Sequence, residues 1–438
     1  MKISYIEKYC LGGDSEEQPA GYFVKGDAVT ELINLREKWQ GKLQMIYLDP
    51  PFFTGKTFSF RQKIGREGWK GNSKYVLSHQ AYSDQWEDHN AFLKMLRRVL
   101  NLSHQMLKPD GSLFLHMDYR FSARARLLMD EIFGAENFLN EIIWVYKTGG
   151  RARHHFSRKH DTILFYRKSK QHYFNPDAVG KPRGLSKRNN MKRRIDDDGR
   201  VFWSIRSGGK EYRYYEDSKV LPSDVWDDIS HLQQKDPERT GYDTQKPEAL
   251  LERMVLSTSR PGDWIGDFFA GSGTTLAAAQ KNGRKWLGID SGIFSINVCR
   301  KRLIQVSQSG CLIFFDPLLR LQKYENFKNE NHNKVRIKIN TKSTFISSNQ
   351  KLKTEIFLLD YQCRQVPELS NYYMDYVDFW SVGYLHNGEF IAQDHSFRTH
   401  ANPEIKTVLT MSGDNTKEKS DIALLISDVY GKQSLYRL

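Results

Sequence analysis

An aspartate, two prolines and an aromatic ring follow an apolar run in the sequence LQMIYLDPPFFTG, residues 43–55. The run predicts a short buried strand, because it is brief and is closed by prolines that cannot continue a hydrogen-bonded ladder. Asp49 would then lie at the carboxyl end of a strand, the edge at which open α/β sheets bind ligands. Pro50 and Pro51 lack N–H groups, so this turn offers oxygen acceptors and almost no donors. The turn therefore suits an amino group as its ligand. The Phe52 side chain offers a flat surface on which the ring that carries the amino group can stack. The alternative is a plain strand-terminating turn.

A second strand end combines glycines with acids in DWIGDFFAGSGTTLAAAQKNGRKWLGID, residues 263–290. The pattern predicts a strand, a glycine loop, a helix and a second strand. Gly271 and Gly273 allow the backbone to turn tightly, and Thr274 can cap the helix. Asp290 ends the second strand, where a nucleotide-binding βαβ unit carries an acid for ribose hydroxyls. We therefore expect a nucleoside at this loop, the alternative being an ordinary α/β crossover.

The type of nucleoside follows from two positions in this segment. A dinucleotide-binding loop needs a third small residue beneath the pyrophosphate, and that position is Leu276 here. Asp267 precedes the loop and would repel a pyrophosphate while attracting an ammonium group. A ribose joined to a positively charged amino-acid end, as in S-adenosylmethionine, fits these residues better than NAD.

Positive charge is concentrated in one window of the chain. The formal net charge is +14, and residues 147–213 contain 19 Lys or Arg against 6 Asp or Glu. Aromatic residues are interleaved with these cations, a composition that suits base stacking as well as phosphate neutralisation. The window predicts nucleic-acid contact, and the alternative is a basic surface that only keeps the protein in solution.

Length and composition limit the class of protein. A chain of 438 residues exceeds one typical core, so two or more domains are expected. No apolar stretch reaches 18 residues and the first 20 residues do not resemble a signal peptide, which predicts a cytoplasmic protein without a membrane partner. The four cysteines lack paired spacing, so they predict buried thiols and neither a disulfide framework nor a metal site.

Together, D-P-P-F at 49–52 and D-x-x-A-G-S-G-T-T at 267–275 resemble the amino-group DNA methyltransferases. The catalytic motif precedes the cofactor motif, as in the circularly permuted β group that includes type III restriction-modification methylase subunits. Other segments resemble the family in order, over roughly residues 22–315: 24–35, 84–118, 133–144, 158–169 and 244–255. Two positions depart from the family pattern, because Ala28 replaces an asparagine and Phe52 replaces the more common tyrosine.

The resemblance implies an α/β fold, a Rossmann-like S-adenosylmethionine-dependent methyltransferase sheet with an inserted target-recognition region. The sequence adds a small β-rich C-terminal domain, in which Asn387-Gly388 predicts a hairpin and residues 421–438 predict another strand pair. The predicted domains are the catalytic half (1–169), the target-recognition region (170–235), the cofactor-binding half (236–320), a linker or exposed hairpin (321–354) and the β-rich accessory domain (355–438).

The resemblance also implies a reaction, the transfer of a methyl group from S-adenosylmethionine to the N6 amino group of adenine in double-stranded DNA after base flipping. Aspartate at the first motif position is typical of adenine-specific members, and serine is typical of cytosine-specific ones. The N4 group of cytosine, an RNA base and a protein amide are alternative acceptors. A second copy of the chain and a restriction subunit are both possible protein partners.

The predicted site residues fall into three groups. The predicted catalytic residues are Asp49, Pro50, Pro51 and Phe52. The predicted cofactor-binding residues are Asp27, Lys246, Asp267, Phe269, Gly271, Gly273, Thr274 and Asp290. The predicted DNA-binding residues are Arg151, Arg153, Arg158, Lys192, Arg193 and Arg194. No metal ligand is predicted.

Overall fold

A computed structural model describes the chain except for residues 1–3, 12–18, 147–151, 183–190, 308–310, 324–335, 347–350, 363–368 and 415–421. The first elements are β1 (Ser4–Leu11), β2 (Gly21–Lys25), α1 (Ala28–Trp39), β3 (Leu43–Leu48), β4 (Thr57–Lys63), α2 (Gly65–Trp69), β5 (Val76–Ser83), α3 (His89–Met106), β6 (Leu107–Met117), α4 (Ser122–Phe133), β7 (Phe138–Val145) and β8 (His160–Arg167).

The remaining elements include strands of the large sheet, strands of several smaller sheets and four helices. The central elements are α5 (Pro176–Val179), β9 (Lys181–Pro182), β10 (Lys192–Ile195), β11 (Val201–Ser207), β12 (Lys210–Tyr215), β13 (Lys219–Val220), β14 (Val225–Trp226), α6 (Glu248–Thr258), β15 (Trp264–Asp267), α7 (Thr274–Lys281), β16 (Lys285–Asp290) and α8 (Ser295–Val306). The C-terminal strands are β17 (Cys311–Lys323), β18 (Arg336–Ile346), β19 (Lys351–Gln362), β20 (Val377–His386), β21 (Glu389–Phe397), β22 (Val408–Asp414), β23 (Ile422–Asp428) and β24 (Gln433–Arg437).

Seven strands form the part of the large sheet that positions the site, in the order β2-β16-β15-β3-β6-β8-β7. Neighbouring strands are parallel except for β8, which runs antiparallel to β6 and β7. Side chains of β3 alternate between the two faces, so Met45 and Tyr47 join one core cluster and Ile46 and Leu48 the other. The first cluster contains side chains of α6, α7 and α8, and the second contains side chains of α1, α3 and α4. The β3 strand is therefore covered by helices on both faces.

Six strands pair in a closed ring, β1-β21-β20-β23-β24-β17, because β1 also pairs with β17. We call this ring the accessory barrel. The long strand β17 belongs to both parts of the molecule, since it runs parallel to β2 at one end and to β24 at the other. Arg300 of α8 forms an ion pair with Glu7 of β1, and both side chains are fully buried. The barrel is thus continuous with the main sheet.

Three features of the structure bear on the predicted domain organisation. β1 lies in the accessory barrel and not in the catalytic half, because its partners are β17 and β21. In the segment predicted as a linker or exposed hairpin, β18 pairs antiparallel with the next strand, β19, and β19 also pairs with β22 in a separate sheet. Asn387 and Gly388 have positive φ angles between the paired strands β20 and β21, as the hairpin prediction requires.

Smaller elements surround the main sheet. The strands β10, β11 and β12 form a three-stranded antiparallel sheet within the predicted target-recognition region. The strands β4 and β5 form a hairpin directly after the D-P-P-F turn. Cys299 is buried, and the described residues include no group of three His, Cys, Asp or Glu side chains suited to a metal. None of the helices in the described ranges is long and apolar enough to span a membrane.

Candidate active site

The turn after β3 is held by a carboxylate that lies outside the motif. All six residues of β3 are buried, so Asp49 lies directly at the carboxyl edge of the sheet. The buried Asp84 side chain accepts the backbone N–H groups of Phe52 at 3.1 Å, Phe53 at 2.8 Å and Thr54 at 2.8 Å. Phe53 has a φ of 57°, a left-handed conformation that these hydrogen bonds help to stabilise. Asp84 therefore fixes the turn, and sequence reasoning did not single it out.

A buried histidine contacts the aromatic ring of the turn. The rings of Phe52 and His116 stack with centroids 5.8 Å apart and an interplanar angle of 27°. His116 Nδ1 is 2.9 Å from the Tyr47 hydroxyl, and Nε2 is 3.2 Å from Asp161 Oδ2. Burial favours the neutral form of Asp161. The hydrogen bond and charge of His116 act against burial, and the pKa of Asp161 is lowered. His116 and Asp161 lie at the ends of β6 and β8, and no local motif indicates either of them.

Lys246 lies against the predicted catalytic turn. Its ammonium group donates a hydrogen bond to Asp49 Oδ2 and lies 5.5 Å from the centroid of the Phe52 ring. The Lys246 carbonyl accepts a hydrogen bond from the Thr274 hydroxyl at 3.2 Å, which ties this segment to the glycine loop. Lys246 was predicted to bind the cofactor, whereas its charged group here pairs with Asp49. A group that only donates hydrogen bonds therefore fits the acceptor surface of the turn.

Asp290 organises the glycine loop from the end of β16. Its two carboxylate oxygens accept the N–H groups of Gly271 and Gly292, each at 2.7 Å. Gly271 has a φ of 51°, and Gly273 a φ of 73°, so both occupy the left-handed region that glycine favours. A Cβ atom at Gly273 would lie 2.7 Å from the Sγ atom of Cys299, so this position must also stay small for packing. Burial raises the pKa of Asp290.

Asp267 is almost completely buried at the end of β15. Its Oδ1 atom accepts the Phe269 N–H at 3.1 Å. Burial raises the pKa of Asp267 to about 7, and the nearby carboxylates of Asp49 and Asp290 add to the shift. The ionised form is therefore disfavoured until a cation is present.

One cavity of about 270 Å³ joins the two strand ends. It is lined by all four predicted catalytic residues and by these predicted cofactor-binding residues: Asp27, Lys246, Asp267, Phe269, Gly271, Thr274 and Asp290. Gly273 does not line it. Asp27 caps α1 by accepting the Thr30 N–H at 2.9 Å. Gly273, and not the predicted Thr274, occupies the N-cap position of α7.

The chemistry of the cavity fits S-adenosylmethionine. Asp27, Asp267 and Asp290 line this space, whereas the charge of Asp49 is paired with Lys246. Such a set attracts the ammonium and sulfonium charges of that molecule and repels a pyrophosphate.

The predicted DNA-binding residues within the described ranges do not line the cavity. Arg151 is outside the described residues. Arg153 and Arg158 are exposed in the connection before β8, and Lys192, Arg193 and Arg194 are exposed on β10. Arg193 Nε lies 3.0 Å from a Glu216 oxygen, and Arg194 lies 3.7 Å from Glu211. Ion pairs within the small sheet thus offset part of its positive charge.

Comparison with known proteins gives the following similarities. Residues 43–300 match the family model described as DNA methylase. Type II methyltransferase M.EcaI of Enterobacter cloacae is 28% identical over 308 residues, which cover 60% of this chain and 64% of that protein. DNA adenine methyltransferase YhdJ of Escherichia coli K12 is 29% identical over 282 residues, which cover 64% of this chain and 81% of that protein.

A similar solved structure is that of TTHA0409 from Thermus thermophilus, complexed with S-adenosyl-L-methionine. It has 21% identity and a TM-score of 0.41, and the match covers 67% of this chain and 97% of that one.

Proposed function

Because the chain belongs to the N6/N4 DNA methylase family, we propose that it transfers a methyl group from S-adenosylmethionine to the N6 amino group of an adenine in DNA. The observation that carries the proposal is the Asp49 turn, an acceptor surface that binds a donor-only ammonium and opens into the same cavity as the glycine loop. The family model covers both N6 and N4 methylation. The adenine assignment is supported by aspartate at position 49 and by the name of the YhdJ relative.

The turn would receive the amino group of an adenine that has left the base stack. The Asp49 carboxylate and the Pro50 carbonyl would accept its two hydrogens, and the Phe52 ring would stack on the base. The Lys246 ammonium now donates to Asp49 Oδ2, so the amino group either takes the other carboxylate oxygen or displaces Lys246 in exchange for it. His116 and Asp84 keep the ring and the turn in position for that exchange.

The barrier to transfer is lowered mainly by charge. S-adenosylmethionine supplies an electrophilic methyl group. The amino nitrogen of adenine is a weak nucleophile because its lone pair is delocalised into the ring. Acceptors at its two hydrogens favour a pyramidal nitrogen and stabilise the positive charge that develops there. Asp49 acts electrostatically in this scheme: the N–C bond forms as the methyl–sulfur bond breaks, and the amino proton then passes to water.

Double-stranded DNA is the substrate we propose, and the cytoplasm is the compartment in which a DNA-modifying enzyme of this kind would act. The N4 amino group of cytosine, an RNA base and a protein amide present similar donors, so each is an alternative acceptor. The homodimer and the restriction subunit stay predictions of the sequence.

Expression of the chain in a methylation-free bacterial host tests the assignment. Sequencing of genomic DNA with modification detection should reveal N6-methyladenine at one recognition sequence. Single-turnover methylation of a duplex with that sequence should fall about 10²–10³-fold in Asp49→Ala, because one preorganised electrostatic partner is lost.

The control for this variant is cofactor affinity, which should stay near that of wild type. N4-methylcytosine in place of N6-methyladenine would overturn the adenine assignment. Methylation by Asp49→Ala within about tenfold of wild type, an effect of about 1.4 kcal/mol, would reduce the turn to a structural feature.

A further inference from the structure

The Phe156 side chain is 97% exposed, which is unusual for a large apolar ring. The exposed cations Arg153 and Arg158 flank it in the sequence ARHHFSRKH, residues 152–160. The free energy of an exposed phenyl ring falls when it moves from water into an apolar or stacked environment. Cations on either side of the ring favour a polyanionic partner. This combination is typical of a contact with nucleic acid.

The segment that carries Phe156 is held by local contacts. The N–H of Ala152 donates to Ser157 Oγ at 3.2 Å, which closes a short backbone loop that contains Phe156. Arg158 lies 3.4 Å from a nitrogen of His155 and its guanidinium lies 4.1 Å from the centroid of the Tyr119 ring. These contacts tether the segment on both sides of Phe156 while its ring stays exposed.

The loop lies at the same sheet edge as Asp49. β6 is parallel to β3, while β8 is antiparallel to β6 and β7, so the connection from β7 to β8 emerges at the carboxyl end of β3. The N–H of Tyr146 donates to the carbonyl of Lys159 at 2.9 Å and closes the base of the connection. Asp161, two residues later, binds His116, which stacks on Phe52. The exposed ring is thus linked by short contacts to the surface proposed to receive the base.

We propose that Phe156 enters the base stack of duplex DNA and fills the space that the extruded adenine leaves. This inference rests on the proposed function. The phenyl ring replaces the stacking that the neighbouring base pairs lose, while Arg153 and Arg158 bind phosphates on either side. The duplex is favoured over an apolar protein surface as the partner, because the exposed cations Arg153 and Arg158 lie on either side of Phe156 in the sequence.

The test uses two duplexes that carry the recognition sequence found by modification sequencing. In one duplex the target adenine is paired with thymine, and in the other it faces an abasic site, which makes extrusion easier. Single-turnover methylation is measured for wild type, Phe156→Ala, Phe156→Trp and the control Leu127→Ala, which removes another exposed apolar side chain, on α4. Cofactor affinity is measured for each variant.

Phe156→Ala should methylate the paired duplex about tenfold or more slowly than wild type, as expected for one lost stacking contact. On the abasic duplex its rate should return to within about threefold of wild type, because little pairing remains to be broken. Phe156→Trp should keep most of the paired-duplex rate, and Leu127→Ala should match wild type on both duplexes. An equal loss for Phe156→Ala on both duplexes, or no loss on either, would overturn the inference. Wild-type activity on the paired duplex reports separately on the proposed function.

Discussion

At the scale of single residues, we expect the charge state of Asp267 to respond to the cofactor. Burial raises its pKa to about 7, so below that pH the carboxyl group holds a proton. A bound cation favours the ionised form and must displace that proton. Cofactor affinity should therefore rise with pH up to about 7 and level off above it.

Calorimetric titration with S-adenosylmethionine between about pH 5.5 and 8.5 checks this prediction. Repeating the titration in two buffers with different ionisation enthalpies should reveal that cofactor binding releases a proton near neutral pH. Asp267→Asn, which cannot titrate, should bind more weakly and show a flatter pH dependence. The raised pKa of Asp290 acts in the same direction, so some slope should remain at acid pH. An Asp267→Asn variant with an unchanged profile would contradict the assignment.

At the scale of elements, the catalytic turn depends on a carboxylate that follows the β4–β5 hairpin. Asp84 accepts three consecutive N–H groups from residues 52–54. Hydrogen bonds to a charged group each contribute about 1.5–3 kcal/mol, so Asp84→Ala should release the turn. We expect single-turnover methylation to fall about tenfold or more, with cofactor affinity nearly unchanged, because the glycine loop has its own acceptor in Asp290.

Asp84→Asn provides the matched comparison. The amide keeps one acceptor oxygen and the shape of the side chain, so its rate should lie between those of Asp84→Ala and wild type. A wild-type rate in Asp84→Ala would show that the turn is rigid without these hydrogen bonds.

At the scale of the whole molecule, the accessory barrel holds one wall of the cavity. Phe58 and Tyr82 of the β4–β5 hairpin line the cavity. Gln62 of the same hairpin donates to the buried Asp378 of β20 at 3.1 Å, and Asp378 also pairs with Lys301 of α8 at 2.7 Å. Trp69 Nε1 of α2, which lies in the connection between β4 and β5, donates to the carbonyl of Thr399, two residues after the end of β21, at 3.1 Å.

Loss of these ties should loosen the hairpin and speed cofactor release. We expect Gln62→Ala to raise the dissociation rate of S-adenosylmethionine about threefold to tenfold, a change of about 0.7–1.4 kcal/mol that is typical of one hydrogen bond. Stopped-flow fluorescence measures this rate. Glu389→Ala, which removes an ion pair with Lys8 elsewhere on the barrel, is the control and should leave it unchanged. Equal release rates in wild type and Gln62→Ala would mean that the barrel does not restrain the hairpin.

The sequence by itself determined the family, the α/β fold and the local course of the chain at both strand ends. The predicted buried strand before Asp49 and the strand-loop-helix-strand order around Gly271 are observed, and the predicted methyltransferase fold is confirmed. These features depend on neighbouring residues, such as proline after a strand or glycine in a left-handed turn, so a short segment suffices to indicate them. The permuted subgroup and the role of each site residue stay predictions.

Only the tertiary structure decided how distant residues meet. The Lys246–Asp49 pair joins positions 197 residues apart, and the contacts of Asp84 and His116 with the catalytic turn also cross between elements. The pairing of β1 with β17 and β21 closes a barrel that no local pattern indicates. It places β1, which was predicted within the catalytic half, in that barrel. Such contacts depend on which strands become neighbours, and the order of strands in a sheet is set by packing of the whole core rather than by any single segment.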